Sequence, residues 1–405
     1  MIGITLATFN CGVCAAVLVT EVAQQMDLAM LSIGHLTASL SEKGSGVKMV
    51  VEQLSAASHK AGHRVKVFGF DEPGREIWKG AEAQAVPLRG PKLLGYAPAM
   101  GPALAVLHPQ IVHAHGLWLL FANAALHHKQ KYGTPYVYSP HGMLANIALE
   151  IKPWRKRIAR TLYQDRLLQN ADCLVATSDN ELRHIRDAGL RGPVALIPLG
   201  IEDATPAPQF PENGEKHALY IGRKLPLKGL EVLALAWKDI APFFPDWKIQ
   251  IIGPDSDGYE TLLSNTIARE GIPRLDLLPA VAGAAREAAY CESQFSILPS
   301  TTENFALTVG ESLIRRVPVI ATRATPWSGL EHEMCGMWIE GDRKALADTM
   351  ARMMSMSAAE RYAMGCRGRD WILRDFQWPE LAERHHALYR WVLGQQERPD
   401  FVITE

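Results

Sequence analysis

The sequence predicts an α/β protein of two Rossmann-like halves, each a doubly wound parallel sheet. Three observations predict it. Short apolar runs ending in Gly, Ser or His alternate with helix-period stretches from Leu28 onward. A Pro-rich, acidic stretch without periodicity, "IEDATPAPQFPENGEK" at 201–216, interrupts the alternation, which then resumes. The chain has 405 residues, more than a typical single core holds.

The elements follow in order. "LAMLSIGHL" is an apolar strand, and "TASLSEKGSG" is a polar loop ending in glycines. "VKMVVEQLSAASHKAG" is a helix with Val47, Val50, Val51, Leu54 and Ala57 on one side. "HRVKVFGF", "QIVHAHG", "PYVYSPHG", "DCLVATS" and "VALIPLG" read as short buried strands with helical stretches between them. After the linker come "HALYIGR", "WKIQIIGP", "LDLLPAV", "QFSILPS", "VPVIAT" and "GMWIE", a second series of the same kind. The tail "WPELAERHHALYRWVLGQQ" is helical. This gives a first Rossmann-like domain over 26–200, the linker 201–216, a second over 217–375 and a C-terminal helix over 376–405. In such sheets ligands bind outside the carboxyl ends of the strands, so the two sets of strand ends are expected to line a cleft.

Composition narrows the class. Hydrophobic content of 48% and charged content of 21% are those of a soluble globular protein. Net charge is −1, divided as +6 over residues 1–200 and −7 over the remainder. A basic first half suits an anionic partner, a phosphate ligand or a membrane surface, and equally suits solvated faces of differing sign. Neither half carries an aromatic–basic stripe, so nucleic acid is not an expected partner. The six cysteines are scattered. Only Cys11-Gly-Val-Cys14 has metal spacing, and no second ligand pair accompanies it. A reducing cytoplasm is the expected location, with a peripheral position on the inner membrane face as a variant. Residues 1–25 are apolar with no charge before Glu21 and no basic flank. They read either as a membrane anchor or as an extension upstream of a start at Met26.

The residues that could do chemistry cluster in the second half. In "YIGRKLPLKGLEV", Arg223 and Lys228 follow a strand and precede Gly229 and a helix. A planar fork of donors and a compact ammonium at a helix start make a diphosphate clamp. In "ILPSTTENFALTVGESLIRR", a strand ends at Ser300 and a loop carries Glu303. A helix then begins, with Ala306, Leu307 and Thr308 supplying free amides and Glu311 lying further inside. Glu311 can accept two hydrogen bonds from a ribose diol. Glu303 would meet whatever hangs beyond the phosphates. The plainer readings are a solvated basic loop, a dipole-favoured carboxylate and a surface glutamate.

Together, "GRKLPLKG" and "PSTTENFALTVGESL" resemble the donor-binding signature of retaining glycosyltransferases of family 4. "EKGSG", "VHAHGLW", "YSPHGML" and "TPWSGLEHEMCGMWIE" resemble further segments of relatives that build bacterial polysaccharides. The resemblance covers nearly all of the chain from Met26. It implies a GT-B fold, two Rossmann-like domains facing a cleft, and transfer of a hexose from a nucleotide-diphosphate sugar with retention at the anomeric carbon. It assigns the diphosphate to Arg223 and Lys228, the ribose to Glu311, and the donor sugar to Glu303 and His141. Gly44 and Gly46 would let the backbone approach a phosphate or the acceptor. The acceptor would be a glycan or a polyprenyl-diphosphate-linked glycan. One departure stands out: Asn304-Phe305-Ala306 occupies a place where many relatives have Phe followed by Gly, and the Ala306 Cβ narrows that approach.

Cleavage of a sugar–phosphate bond builds positive charge on the ring and negative charge on the departing diphosphate. Arg223, Lys228 and the amides at 306–308 can take up that negative charge, so neither a metal nor another cofactor is expected. Asp255-Ser-Asp257 mimics a metal motif but sits in a Gly/Pro-bounded turn and reads as that turn. His113 and His115, at the end of a strand, could act chemically or simply fill and cap. Base contacts are expected at residues 278–283, "LPAVAG". In "KPWRKRIARTLYQDRLL", 152–168, Trp154, Ile158 and Leu162 share one helical side among six basic residues. The apolar stripe is expected to pack on the domain while the cations draw an anionic membrane or acceptor. A catalytically inactive sugar-nucleotide-binding subunit and a nucleotide-sugar epimerase of the same fold are the alternatives.

Overall fold

A computed structural model describes residues 30–41, 45–70, 78, 80–150, 152–205 and 215–404. The apolar segment 1–25, Gly44 and most of the expected linker lie outside them. Each apolar run forms a strand. The first series gives β1 (Ser32–Leu36), β2 (Arg64–Gly69), β4 (Ile111–His115), β5 (Tyr136–Ser139), β6 (Cys173–Ala176) and β7 (Val194–Leu196), with β3 (Glu82–Ala85) an addition between β2 and β4. The second gives β8 (Lys216–Ile221), β9 (Trp247–Ile252), β10 (Leu275–Leu278), β11 (Ser293–Leu298), β12 (Val319–Thr322) and β13 (Gly336–Ile339). Helices connect them. Along the chain the ones used below are α1 (Ser45–Lys60), α2 (Pro153–Ala159), α3 (Asp165–Gln169), α4 (Asp179–Asp187), α5 (Gly283–Cys291), α6 (Leu307–Ile314) and α7 (Trp378–Val392).

With β14 (Val402–Ile403) at one edge, strand order is β14-β7-β6-β5-β4-β1-β2-β3 in the first sheet and β10-β9-β8-β11-β12-β13 in the second. β1 pairs in parallel with β2 and β4, and β8 pairs in parallel with β9 and β11. Both sheets therefore reverse direction of growth at one point, between β1 and β4 and between β8 and β11. Such switch points open a crevice at the carboxyl ends of the strands, because the helices on either side run to opposite faces. β4, β5, β6 and β11 are buried along their whole lengths, as strands of a parallel sheet covered on both faces are.

Two strands carried no clear sequence signal. β3 alternates half-buried and exposed residues at the sheet edge. β14 (Val402–Ile403) pairs antiparallel with β7 through Val402–Ala195 and Ile403–Val194. By their contacts the residues form two compact units. One holds the described residues up to 114 together with 119–137, and the other holds 115–118 and the described residues from 138.

The basic stretch 152–168 differs from expectation. It folds as α2, one π-helical turn over Arg160–Gln164, and α3. Its inward side is Ala159, Gln164, Leu167 and Leu168. The Gln164 side-chain oxygen Oε1 accepts the Trp118 backbone N–H at 2.8 Å. The Trp154–Ile158–Leu162 stripe faces solvent, with exposures of 60%, 51% and 73%. Periodicity identifies residues that share a side but not which side is covered, and here the smaller, partly polar side is the covered one. Among the described residues no helix is long and apolar enough to cross a membrane.

Candidate active site

The site is built where the second sheet switches direction. The loop after β8 and the loop after β11 leave adjacent strand ends and are held against each other. Gly229, at φ +65°, makes this possible: a Cβ there would lie 2.1 Å from the Pro299 carbonyl oxygen. The Thr301 amide donates to the Leu227 carbonyl at 2.9 Å, closing the seam. Across it, the Lys228 ammonium donates to Glu303 Oε1, which also accepts the Ser300 hydroxyl at 2.7 Å. Both partners are mostly buried, with side-chain exposures of 20% and 12%. A charge pair in such a setting is screened less than a surface pair.

Arg223 is exposed beside this pair, and its carbonyl accepts the Tyr220 hydroxyl at 2.8 Å. Lys224, its neighbour, is buried and donates to Glu260 at 2.7 Å and to the Leu278 carbonyl at 2.6 Å. Lys224 therefore ties this loop to the start of the 278–283 stretch, while Arg223 stays available to an anion. Asp255 Oδ1 accepts the Glu260 amide at 2.8 Å and Asp257 stands at φ +56°, the marks of a turn.

Beyond Glu303 the chain is anchored by aromatics. Trp327 donates its indole N–H to the Phe305 carbonyl at 2.5 Å and packs on Phe305, Trp371 and Phe376. Ala306 then adopts φ +64°, ψ +63°, a left-handed conformation that glycine takes without strain. Leu307 opens α6. Thr308 lies in its first turn and accepts the Ser312 hydroxyl at its carbonyl, at 2.8 Å. Glu311 is held on one oxygen: Oε2 accepts from Arg286 at 2.6 Å and from Tyr290 at 2.8 Å, both on α5. Burial, with the Glu311 charge adding to it, raises the Tyr290 pKa well above normal, so that hydroxyl stays a donor. One carboxylate oxygen is thus fixed and the other can turn to a diol.

His141 sits just after β5, with φ +53°, and Gly142 follows at φ +75°. Its ring stacks on His115 at 5.3 Å between centroids, with its Nε2 3.0 Å from His115 Nδ1. Although an edge reaches solvent, burial lowers its pKa to about 4, and His385 on α7 adds to the shift. The imidazole is therefore neutral at ordinary pH. Asn304 links this turn to the Glu303 loop. Its Nδ2 donates to the Thr177 hydroxyl at 2.9 Å, its carbonyl accepts from Ser178 at 3.0 Å, and its side chain lies 2.7 Å from where a Gly142 Cβ would be.

Glu303, Lys228, Ser300 and Asn304 thus form one neighbourhood, with His141 beyond Asn304 and exposed Arg223 at the start of the loop that carries Lys228. The other expected residues lie elsewhere. Gly46 is exposed in the first turn of α1, in the other compact unit, where His113 packs on His35 at 5.5 Å between rings. Gly44 lies outside the described residues. Asn304, Ser300 and Thr177 were not singled out from the sequence, since small polar residues at strand ends are common turn formers. Only Glu181, three residues after Ser178 before an amphipathic helix, carries a sequence signal, that of a helix cap.

Comparison with known proteins bears on this architecture. Residues 45–200 match the family described as glycosyl transferase 4-like domain, and residues 215–356 match glycosyl transferases group 1. The D-inositol 3-phosphate glycosyltransferase of Nocardiopsis dassonvillei is 26% identical over 240 residues, a match spanning 53% of this chain and 55% of that protein. The chain thus spans about half the length of that relative. The GDP-mannose:cellobiosyl-diphosphopolyprenol alpha-mannosyltransferase of Xanthomonas oryzae is 23% identical, over 80% of this chain and 86% of that protein. Among solved structures, Anabaena Alr3699/HepE in complex with UDP and glucose superposes with a TM-score of 0.69 at 17% or less identity, here 16%, over 88% of this chain and 99% of that one. With two Rossmann-like parallel sheets of this kind and both halves matched, the chain belongs to the family 4, or group 1, glycosyltransferases of GT-B fold.

Proposed function

We propose that the protein transfers a hexose from a nucleotide-diphosphate sugar to a glycan or polyprenyl-diphosphate-linked acceptor in cell-surface polysaccharide assembly, with retention and without a metal. The observation that carries this reading is the meeting of Lys228 and Glu303 at the switch point, beside exposed Arg223 and the first turn of α6. Arg223, Lys228 and the amides of Ala306, Leu307 and Thr308 hold the diphosphate. Glu311 takes the ribose, and Glu303 and His141 face the sugar. In the transfer, the bond from C1 to the phosphate oxygen breaks and a bond from C1 to the acceptor oxygen forms on the same face. The acceptor proton passes to the departing phosphate oxygen. The cations stabilise the charge that develops there, a contribution of the kind worth roughly 3–4 kcal/mol per donor. Neutral His141 suits this scheme, since it can donate to a sugar hydroxyl without adding charge beside a developing cation.

The Xanthomonas relative's name specifies GDP-mannose and the Anabaena structure holds UDP, so those two nucleotides are the first probes. A thermal-shift panel of UDP, GDP, ADP and TDP tests the donor site. A ligand at a hundred times its dissociation constant adds roughly 2.7 kcal/mol. One nucleotide is expected to stabilise the wild type and not Lys228→Ala. No stabilisation by any of them would overturn the reading. Turnover of the matching nucleotide sugar then separates a transferase from an inactive subunit, and the product's C1 configuration and sugar identity separate it from an epimerase.

The same reading includes peripheral contact with an anionic membrane. The exposed Trp154–Ile158–Leu162 stripe supports it, because Lys152, Arg157 and Arg166 are exposed on the same stretch and Arg155 stacks on Trp154 at 5.1 Å. Phosphatidylglycerol-containing vesicles should cosediment the wild type more than phosphatidylcholine vesicles do. Leu162→Gln with Trp154→Gln should abolish the difference. Equal sedimentation with both vesicle types would remove this part of the reading.

A further inference from the structure

One buried carboxylate is untouched by the reaction as written. Glu181, in the first turn of α4, has no exposed surface, and among the described residues no cation lies within ion-pair distance of it. A lone buried carboxylate is costly unless several donors satisfy it. Three do. Oε1 accepts the Gly142 amide at 2.5 Å. Oε2 accepts the Thr177 amide at 2.8 Å and the Thr177 hydroxyl at 2.7 Å.

The two oxygens hold two different parts of the site. Gly142 directly follows His141, and both stand in the left-handed region. A histidine held there is strained, and such strain persists only where the surroundings fix it. The Glu181–Gly142 bond is one such fixture. On the other side the direction of each hydrogen bond is determined. The Thr177 hydroxyl spends its proton on Glu181, so it can only accept from Asn304, and the Asn304 Nδ2 at 2.9 Å supplies that proton. Ser178 repeats the pattern. It accepts the Glu181 amide at 3.2 Å and donates to the Asn304 carbonyl at 3.0 Å. Asn304 precedes Phe305 and follows Glu303 in one loop.

We infer that Glu181 is a positioning residue for glycosyl transfer: through Gly142 and through Thr177–Asn304 it sets His141 and Glu303 in register with each other around the donor sugar. The inference rests on the reading that these two groups face that sugar. A misplacement of about 1 Å between reacting groups costs on the order of a hundredfold in rate, so a hub touching neither reactant can still govern turnover. The donors and acceptor bonded to Glu181 are Gly142, Thr177 and Ser178, none of them in the Lys228 loop, and the nucleotide itself should be bound without its help.

The test uses the full chain as wild type, Glu181→Gln, Thr177→Val and Asn304→Ala, with UDP, GDP, UDP-glucose and GDP-mannose as probes. Glutamine keeps the shape but turns one acceptor oxygen into an amine facing donors, so one arm of the hub breaks. Two quantities are read: the thermal shift from the nucleotide, with the extra shift from its sugar, and kcat and KM for donor hydrolysis. In Glu181→Gln the nucleotide shift should survive, the extra sugar-dependent shift should vanish, and kcat should fall roughly a hundredfold with little change in KM. Thr177→Val leaves both backbone bonds to Glu181 in place and should fall in the same direction by less. Asn304→Ala combined with Thr177→Val should be no worse than the more severe single variant. Wild-type sugar shift and kcat in Glu181→Gln would overturn the proposal. So would equal loss of the nucleotide and sugar shifts, which would make Glu181 a residue of fold maintenance alone. If Glu181→Gln does not fold, wild-type behaviour of Thr177→Val overturns it. A wild type shifted by none of the four probes is a distinct result, failure of the donor-site reading, and the positioning role falls with it.

Discussion

Lys228 and Glu303, 75 positions apart in the chain, form an ion pair across the switch point of the second sheet. Each therefore has a second role, as the other's counter-charge. Lys228→Ala is expected to abolish nucleotide stabilisation and lower kcat/KM on the order of a hundredfold or more. Glu303→Gln, which keeps a hydrogen-bonding group for Lys228 and Ser300, should retain the nucleotide shift and lose turnover. Thermal shift and donor hydrolysis on both variants decide it. Equal loss of nucleotide binding in the two would show that the roles do not divide.

Ala306 pays for its left-handed backbone with a Cβ that glycine lacks. Ala306→Gly should raise stability by about 0.5–1 kcal/mol, the relief of strain exceeding the added freedom of the unfolded chain. Urea unfolding measures it. A less stable glycine variant would mean that the Cβ makes contacts worth more than the strain.

Gly229→Ala should behave in the opposite way. Its φ of +65° and the Pro299 oxygen 2.1 Å from the new Cβ leave no room without moving backbone. We expect a loss of roughly 2 kcal/mol or more, and a smaller nucleotide shift because the two loops part. A variant as stable as wild type, binding nucleotide normally, would refute the close seam between them.

Acid should weaken the fold through two histidines. Burial lowers His141 and His385 to about 4, from 6.5 in an exposed chain, with His385 adding to the shift of His141. Between these values the unfolded chain takes up protons that the folded one refuses. Stability is complete above about pH 6.5, declines as pH falls toward 4, and levels below that. The slope is at most about 1.4 kcal/mol per pH unit for each histidine. Melting followed across this range should show the decline, and His385→Leu should make it shallower. An unchanged slope would remove His385 from the account.

Much of the fold was legible because the strands are short, apolar and punctuated. Twelve expected runs became strands, while β3 and β14 escaped notice, one alternating at an edge and the other only two residues long. In the candidate site, the charged residues were legible and their supports were not. Arg223 and Lys228 were readable as candidate cations, but the sequence said nothing of Lys224 between them, which is buried on Glu260 while Arg223 is exposed. Ala306 read as a narrowing of the phosphate approach, whereas the structure adds a backbone strain that only φ reveals. The stripe at Trp154, Ile158 and Leu162 was visible as a stripe, but its direction depended on what α2 and α3 pack against. Glu181 shows its place at a helix start in the sequence but not its contact with the His141 turn, because the Gly142 amide that reaches it is 39 positions away in the chain.

The short strand β14 gives the first sheet a schedule. Val402 and Ile403 close the edge of β7, but the whole second sheet is synthesised between the two. At about 5–20 residues per second, β7 waits on the order of ten seconds or more on the ribosome with an unpaired rim. During that wait it is open to strands from other nascent chains. Removal of Val402 and Ile403 would make that interval permanent and leave the β7 border without its partner.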